Sequence, residues 1–430
     1  MMRIVGTGCL ALALVLTGAP STRAQGGLAP GPWNLANLRQ APQVTWVDGA
    51  GPVRKLYYTS VPYKGRPTRV FAYYAEPAGN KAGKLPAVVL VHGGDGRAFA
   101  EWAQQWAARG YVALAMDLNG NGPDGVTPLP DGGPPLSGPA IFPTAPIPLS
   151  DLWPYQAVAN VIRAVTLVSN LPQVDPQRVG VVGISWGGYL TCIVSGVDER
   201  VKAACPIYGC GYLLQDSYWM GEIAALPADW RATWLANFDP AIYLPRARAP
   251  MLFVGGTNDA AYPRDSHQAS LQLVRDRRQS VQVNLPHNYP TAWGLVEPFA
   301  FMDGQFRGGK GLPVLLPPSQ SGGRTIVLSP MSGTGTAAGL TAFYGARPSV
   351  LRTVVVSARV RSPYALAAAQ VNWTTDTGPW PNRRWASAPA TVSGGAVRAE
   401  LPADPRLVYY LSVTDARGAT VSTDYRKSQR

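Results

Sequence analysis

Residues 179–184, Val-Gly-Val-Val-Gly-Ile, read as a buried strand, and residues 187–195 read as a helix. Between them stands Gly183-Ile184-Ser185-Trp186-Gly187. A serine wedged between strand and helix, with a glycine two positions to either side, constrains this chain more than any other feature. The serine backbone at such a turn is strained, and side chains at 183 and 187 would collide with neighbouring elements. Gly-x-Ser-x-Gly alone is a weak signal because both residues are common; the strand before it and the helix after it give it weight. Gly188 lets that helix lie close to the sheet.

The surrounding segments supply the sheet. Residues 57–78 alternate around Pro62-Tyr63-Lys64-Gly65 and read as antiparallel strands. Residues 86–91 form an apolar strand ending in His92-Gly93-Gly94-Asp95-Gly96. Residues 99–109 form a helix stopped by Gly110, and 111–116 a strand ending at Asp117. A long helix spans 150–170. Further strands are expected at 201–207, 250–254 and 280–285, with a helix over 264–275. Apolar runs alternating with helices predict a mostly parallel, doubly wound α/β sheet covered on both faces.

Two long insertions leave the carboxyl ends of strands, where open α/β sheets bind ligands. Residues 119–148 are crowded with Gly and Pro. Residues 211–248 hold Tyr212, Tyr218, Trp219, Trp230 and Trp234. Connections of this length are usually functional, so the second is read as a lid. Trp219 and Trp234, with Trp153 and Tyr155, are candidate pocket residues; the alternative is that they pack the lid's own core. After Leu316-Pro317-Pro318 the composition changes. Residues 319–340 are rich in Ser, Gly and Thr, and short β-rich segments follow to the end. The division expected is a catalytic domain over 25–318, then a linker and an all-β immunoglobulin- or fibronectin-III-like sandwich over 319–430, with Trp373 in its core.

A serine hydroxyl needs a base, nearly always histidine, and the chain has three. His92 belongs to the Gly-rich turn and is expected to brace it. His267 lies in the 264–275 helix, as a rival base or else a solvated helix residue. His287 follows the 280–285 strand and is the expected base. The base needs a carboxylate to fix its tautomer. Asp259 ends Gly255-Gly256-Thr257-Asn258-Asp259 after a strand; Asp265 is the nearby alternative, and Asp117 is expected to shape its own loop. The oxyanion needs backbone N–H donors. These are expected from Trp186, directly after the serine, and from Gly94 or Asp95.

These motifs carry a resemblance. Val174-Asp175-Pro176-Gln177-Arg178 running into Gly183-Ile-Ser-Trp-Gly-Gly-Tyr-Leu190, with His92-Gly93-Gly94 and Gly256-Thr-Asn-Asp-Ala-Ala-Tyr-Pro263, resembles α/β-hydrolases of the dienelactone hydrolase and prolyl-oligopeptidase-like group. Secreted bacterial acetylxylan esterases and carboxylesterases are in that neighbourhood. The resemblance covers about residues 57–310. It implies the α/β-hydrolase fold, a serine mechanism in the order Ser185, Asp259, His287, and no cofactor. Dienelactone hydrolase itself has Cys where Ser185 stands. Oligopeptidases carry a β-propeller for which the short N-terminal stretch leaves no room. The residue after the base is Asn288 rather than the usual small one.

Residues 1–24 read as an export signal: Arg3, an apolar core over 4–19 and a small-residue site near Ala24. Cys9 lies at the start of that core rather than after it, unlike a lipoprotein box. Export permits disulfides, and the remaining Cys192, Cys205 and Cys210 form an odd set. Either Cys205 and Cys210 close a tight loop or all three are inert buried thiols. No Cys-x-x-Cys or His-Glu-x-x-His pattern occurs, so no metal site is expected. The formal charge is +13, from 38 Lys and Arg against 25 Asp and Glu; residues 321–430 hold 13 of the bases and 5 of the acids. Dispersed arginines of this kind do not argue for nucleic acid. No stable membrane association is expected, and the sequence sets no oligomeric state.

The expectation is an exported serine esterase acting on a small-molecule or polysaccharide ester. A serine peptidase of aminopeptidase or acylaminoacyl type needs acids for a substrate amine, and Glu222 is the lid's only glutamate. A non-catalytic binding protein on a decayed hydrolase fold is the remaining alternative.

Overall fold

The computed structural model describes residues 31–47, 51–79, 83–328 and 349–428. The expected signal segment lies outside them. A short helix, α1 (Leu35–Leu38), precedes β1 (Val44–Val47), β2 (Val53–Thr59) and β3 (Arg69–Ala75). Alternation follows through β4 (Leu85–Val91), α2 (Ala100–Ala108), β5 (Val112–Met116), α3 (Gly138–Ile141), α4 (Trp153–Ser169), β6 (Val174–Ile184), α5 (Trp186–Val197) and β7 (Ala203–Ile207). The insertion over residues 211–248 contains α6 (Met220–Ala225) and α7 (Ala228–Phe238). Then come β8 (Met251–Gly256), α8 (Arg264–Gln272), β9 (Arg277–Gln282), α9 (Tyr289–Gly294) and α10 (Glu297–Phe306).

The nine strands form one sheet in the order β1-β2-β3-β5-β4-β6-β7-β8-β9, antiparallel as far as the β3–β5 pair and parallel beyond it. Helices cover both faces, which is why β5 and β8 are buried at every position. The chain leaves β4 for β5 on one side and returns past β4 to β6 on the other. The carboxyl ends of β4 and β6 therefore lie side by side at the point where strand order reverses, the place where such sheets form a crevice. The His92–Gly96 turn and the Ser185 turn are both there.

The C-terminal part is all antiparallel. Strands β10 (Val314–Leu315), β11 (Ser319–Leu328), β12 (Ser349–Arg361), β13 (Leu366–Thr374), β14 (Ala386–Pro389), β15 (Thr391–Ser393), β16 (Ala396–Pro402), β17 (Val408–Asp415), β18 (Thr420–Ser422) and β19 (Arg426–Lys427) make two sheets. One runs β10-β12-β16-β15 with β11 also on β12; the other runs β14-β13-β17-β18 with β19 also on β17. Val356, Val397 and Leu401 from the first sheet and Val371, Leu411, Val413 and Val421 from the second belong to the buried core. Trp373 is only half-buried, and the buried tryptophan is Trp380.

Three expectations shift. Part of the Ser/Gly/Thr-rich segment is strand, because Thr325, Ile326, Val327 and Leu328 pair with β12 across an irregularity at Gly322; residues 329–348 lie outside the described set. The last parallel strand is 277–282 rather than 280–285. Its polar start, Arg277-Arg278-Gln279, disguises it, and the C-terminal β-strands cover it: Ser422 Oγ accepts the Val281 N–H at 2.9 Å, and Gln279 donates to Asp424 at 3.0 Å. Cys192, Cys205 and Cys210 are free and buried, so no loop-closing disulfide forms. Among the described residues no helix is long and apolar enough to cross a membrane.

Candidate active site

Ser185 stands between β6 and α5 with φ 58° and ψ −119°, a conformation that L residues seldom adopt. It is held by its own N–H, which donates to Ile207 O at 2.8 Å. The flanking glycines are explained by what a side chain would meet. A Cβ on Gly183 would run into the Gly187 carbonyl, and one on Gly187 into the Val91 carbonyl. The turn therefore sits tightly on the end of β4, and only Gly-x-Ser-x-Gly fits there.

The loop after β4 is pressed onto this turn. A Cβ on Gly93 would lie 2.7 Å from Ser185 Cβ and 2.9 Å from Trp186 N. His92 is buried, and burial pushes its pKa down to about 4, so it is neutral at pH 7. Its Nε2 accepts from Leu118 N–H at 2.8 Å, which leaves the proton on Nδ1 to donate to Gly93 O at 2.8 Å. Gly96 N–H donates to the same carbonyl at 3.3 Å. Tyr289 completes the bracing: its hydroxyl accepts from Gly93 N–H at 2.9 Å and donates to Gly94 O at 2.8 Å. In a trans peptide C=O and N–H point in opposite directions. Fixing the Gly93 carbonyl therefore aims the Gly94 N–H the other way, and fixing the Gly94 carbonyl does the same for Asp95, whose φ is 54°. Among the described residues no protein acceptor takes the N–H of Trp186, Gly94 or Asp95.

At the ends of β8 and β9, Asp259 and His287 meet. Asp259 Oδ2 lies 2.8 Å from His287 Nδ1, and Oδ1 accepts the N–H groups of Ala261 and Tyr262, each at 2.9 Å. The carboxylate is 2% exposed and the imidazole 28%. The Asp259 carboxylate is thus fixed by backbone while the His287 imidazole reaches solvent. Tyr208 stacks on the imidazole with ring centroids 4.4 Å apart and planes at 24°, and anchors its own hydroxyl on Pro286 O at 2.8 Å.

The rivals are engaged elsewhere. His267 is buried, not solvated, because it packs on Phe253 and pairs through Nδ1 with the buried Arg264 guanidinium at 2.9 Å. Asp265 accepts from Trp380 Nε1 at 2.8 Å and from the Tyr425 hydroxyl. Asp117 turns its loop, accepting from Asn119 and Asn121 N–H at 2.8 Å each, and burial pushes its pKa up to about 6.

The candidate pocket residues divide. Trp186 is the centre of an aromatic cluster with Trp219 at 4.3 Å, Trp153 at 5.7 Å and Phe142 at 6.3 Å. Trp234 is fully buried one layer further out: it lies against Phe142 and donates to Ile141 O at 2.7 Å. Trp230 donates to Pro143 O at 3.0 Å, so the two insertions pack on each other. Tyr155 stacks on Trp33 and is not brought to the cluster. Sequence reasoning missed Tyr289 and Tyr208. Tyr289 had one available signal, its place two residues after the expected base.

The acetyl xylan esterase family matches residues 34–215, and the prolyl oligopeptidase family matches residues 149–286. The two matches overlap on the serine turn described above. The fold described above is that of the α/β-hydrolases to which these matched proteins are similar. The acetyl xylan esterase of Paenibacillus sp. R4 has a similar fold: 23% identity, 64% of this chain against 92% of that one, TM-score 0.51. Acetyl xylan esterase 1 of Thermoanaerobacterium sp. JW/SL YS485 is 22% identical over 61% of this chain and 91% of that one, with a TM-score of 0.47. An uncharacterized protein of Pseudomonas aeruginosa is 34% identical over 131 residues; the match spans 29% of this chain and 29% of that relative's length. The residues past 286, His287 among them, lie outside both family matches.

Proposed function

We propose that this protein is a hydrolase, an exported carboxylesterase with Ser185 as nucleophile, His287 as general base and Asp259 as the carboxylate that orients it. The observation that carries the proposal is the 2.8 Å contact between Asp259 Oδ2 and His287 Nδ1. With Nδ1–H donated to a buried carboxylate, Nε2 is left unprotonated to take the serine proton. Ser185 Oγ attacks the ester carbonyl. The oxyanion is received by the N–H groups of Trp186 and Gly94, with Asp95 as the neighbouring donor. His287 passes its proton to the departing alcohol, and water then releases the acyl group by the same steps in reverse order of partners.

The acetyl xylan esterase match supports an acetylated sugar or polysaccharide as substrate. The apolar cluster of Trp186, Trp219, Trp153 and Phe142 supports a short acyl group beside the serine. The apolar core at residues 4–19 supports export. The prolyl oligopeptidase match supports a second reading, a peptidase of aminoacyl substrates. Against it, Glu222, the one glutamate of the 211–248 insertion, is exposed on α6.

The test is the mature chain and its Ser185→Ala variant on p-nitrophenyl acetate, acetylated xylan and aminoacyl p-nitroanilides. The expected result is ester turnover that falls ~10⁴–10⁶-fold in the variant. Wild-type turnover by Ser185→Ala overturns the mechanism. Faster turnover of aminoacyl amides than of esters transfers the chain to the peptidase reading.

A further inference from the structure

The C-terminal domain touches the catalytic domain at the loop that carries the proposed acid. Asn258, the residue before Asp259, points its amide into a turn of the β-domain over Trp380–Asn382 and the residue after it. Asn258 Nδ2 lies 3.4 Å from Trp380 O, 2.9 Å from Pro381 O and 2.7 Å from Arg383 O. Three carbonyls converging on one amide form a socket that only a donor fills. The other end of the amide is also engaged: Asn258 Oδ1 accepts from Thr257 Oγ1 at 2.6 Å, and Thr257 Oγ1 accepts from Asn284 N–H at 3.0 Å. Asn284 belongs to the segment between β9 and His287. A continuous set of hydrogen bonds thus runs from the β-domain turn through Asn258 and Thr257 to the loop that delivers the base.

The turn is itself held from two sides. Trp380 is 3% exposed, donates through Nε1 to Asp265 at the start of α8, and carries the Arg383 guanidinium over its ring at 3.7 Å. Tyr425 donates to the same Asp265 carboxylate and packs on Trp380 with centroids 5.2 Å apart. A domain serving only as a tether needs none of this.

We infer that the Trp380–Arg383 turn of the β-domain is a positioning element for the Asp259–His287 pair, acting through Asn258. The inference rests on the triad proposed above. The β-domain in this account completes the site by fixing the two loops that bring acid and base together, and neither Trp380 nor Asn258 touches substrate. A misplacement of the order of 1 Å in such a pair is enough to lose roughly 10²-fold in rate.

The experiment uses the full mature chain and p-nitrophenyl acetate. Asn258→Asp keeps the shape and the Thr257 contact but sets oxygen against three carbonyls; Trp380→Phe keeps a smaller aromatic ring and removes the donor to Asp265. The expected result is a kcat ~10–100-fold lower for Asn258→Asp, and several-fold lower for Trp380→Phe, with KM within about twofold. The rate of fluorophosphonate labelling of Ser185 should fall in parallel. Ser422→Ala, which loosens the same interface away from the acid loop, should keep kcat within about twofold. Ser185→Ala is run beside them. If Ser185→Ala keeps its activity, the triad itself is wrong. If it is inactive while Asn258→Asp folds and keeps wild-type kcat and labelling rate, the triad stands and the inference is overturned. Equal kcat losses in Asn258→Asp and Ser422→Ala also overturn it, since the effect is then general loosening. Should Asn258→Asp not fold, Trp380→Phe decides by the same readings.

Discussion

Replacing Tyr289 with phenylalanine removes one oxygen atom and leaves the ring, which packs on Phe99 at 4.9 Å and Trp293 at 6.1 Å. That oxygen makes two hydrogen bonds, from Gly93 N–H and to Gly94 O. Two neutral bonds of this kind contribute together ~1–3 kcal/mol net, with more lost if the abandoned groups stay dry. A stability loss of about 2–3 kcal/mol is therefore expected. The kinetic effect depends on which peptide is set loose. The Gly93 carbonyl keeps its bonds to His92 Nδ1 and Gly96 N–H, so the Gly94 N–H keeps its aim. The Gly94 carbonyl loses its hydroxyl donor, so the Asp95 N–H does not. With Gly94 as the oxyanion donor, kcat on p-nitrophenyl acetate should fall only about tenfold, with KM unmoved. A loss of the full ~10²–10³ expected for a missing oxyanion donor would assign that role to Asp95. Wild-type kcat together with a wild-type thermal midpoint would refute the bracing argument altogether.

Other outcomes follow from burial. His92 is held neutral, so between pH 6.5 and about 4 the unfolded chain binds a proton that the folded chain refuses. Stability should fall as pH falls through that window, by up to ~3 kcal/mol from His92, with His267 acting in the same direction. Asp117 opposes this between about 6 and 3.8, because its protonated form is favoured by folding. Urea melts at pH 7 and pH 4.5 should show a smaller difference for His92→Gln than for wild type; an equal or larger difference contradicts the assignment. Trp234→Ala should lower stability by ~3–5 kcal/mol and leave acyl chain-length preference alone, since the indole is fully buried against Phe142 and Phe238 and makes no ring contact with Trp186. Trp219→Ala should shift that preference towards longer acyl esters with a smaller thermal effect, and an unchanged profile would remove Trp219 from the pocket.

What the sequence disclosed and what it withheld divide by the range of the interactions. The Ser185 turn was legible because part of its constraint is local: the atoms that forbid a side chain at 183 belong to Gly187 and Thr191, four and eight residues on, although the carbonyl that forbids one at 187 is that of the distant Val91. The contact between Asp259 and His287 was legible because each residue follows a strand at a place where the sheet needs a loop. The early edge of β9 was not, because Arg277 and Arg278 look like surface residues until Ser422 and Asp424 are set beside the strand. Trp234 and Trp219 look alike in the sequence, and only the position of Phe142, from the other insertion, separates a packed residue from a cluster residue next to Trp186. Asn258 shows the limit most clearly. Beside Asp259 it resembles an ordinary turn residue, and an asparagine there costs nothing in a solvated loop. Its partners are carbonyls 122, 123 and 125 residues away. Backbone oxygens carry no mark in the sequence, so a socket built from them is invisible until the two domains are in contact.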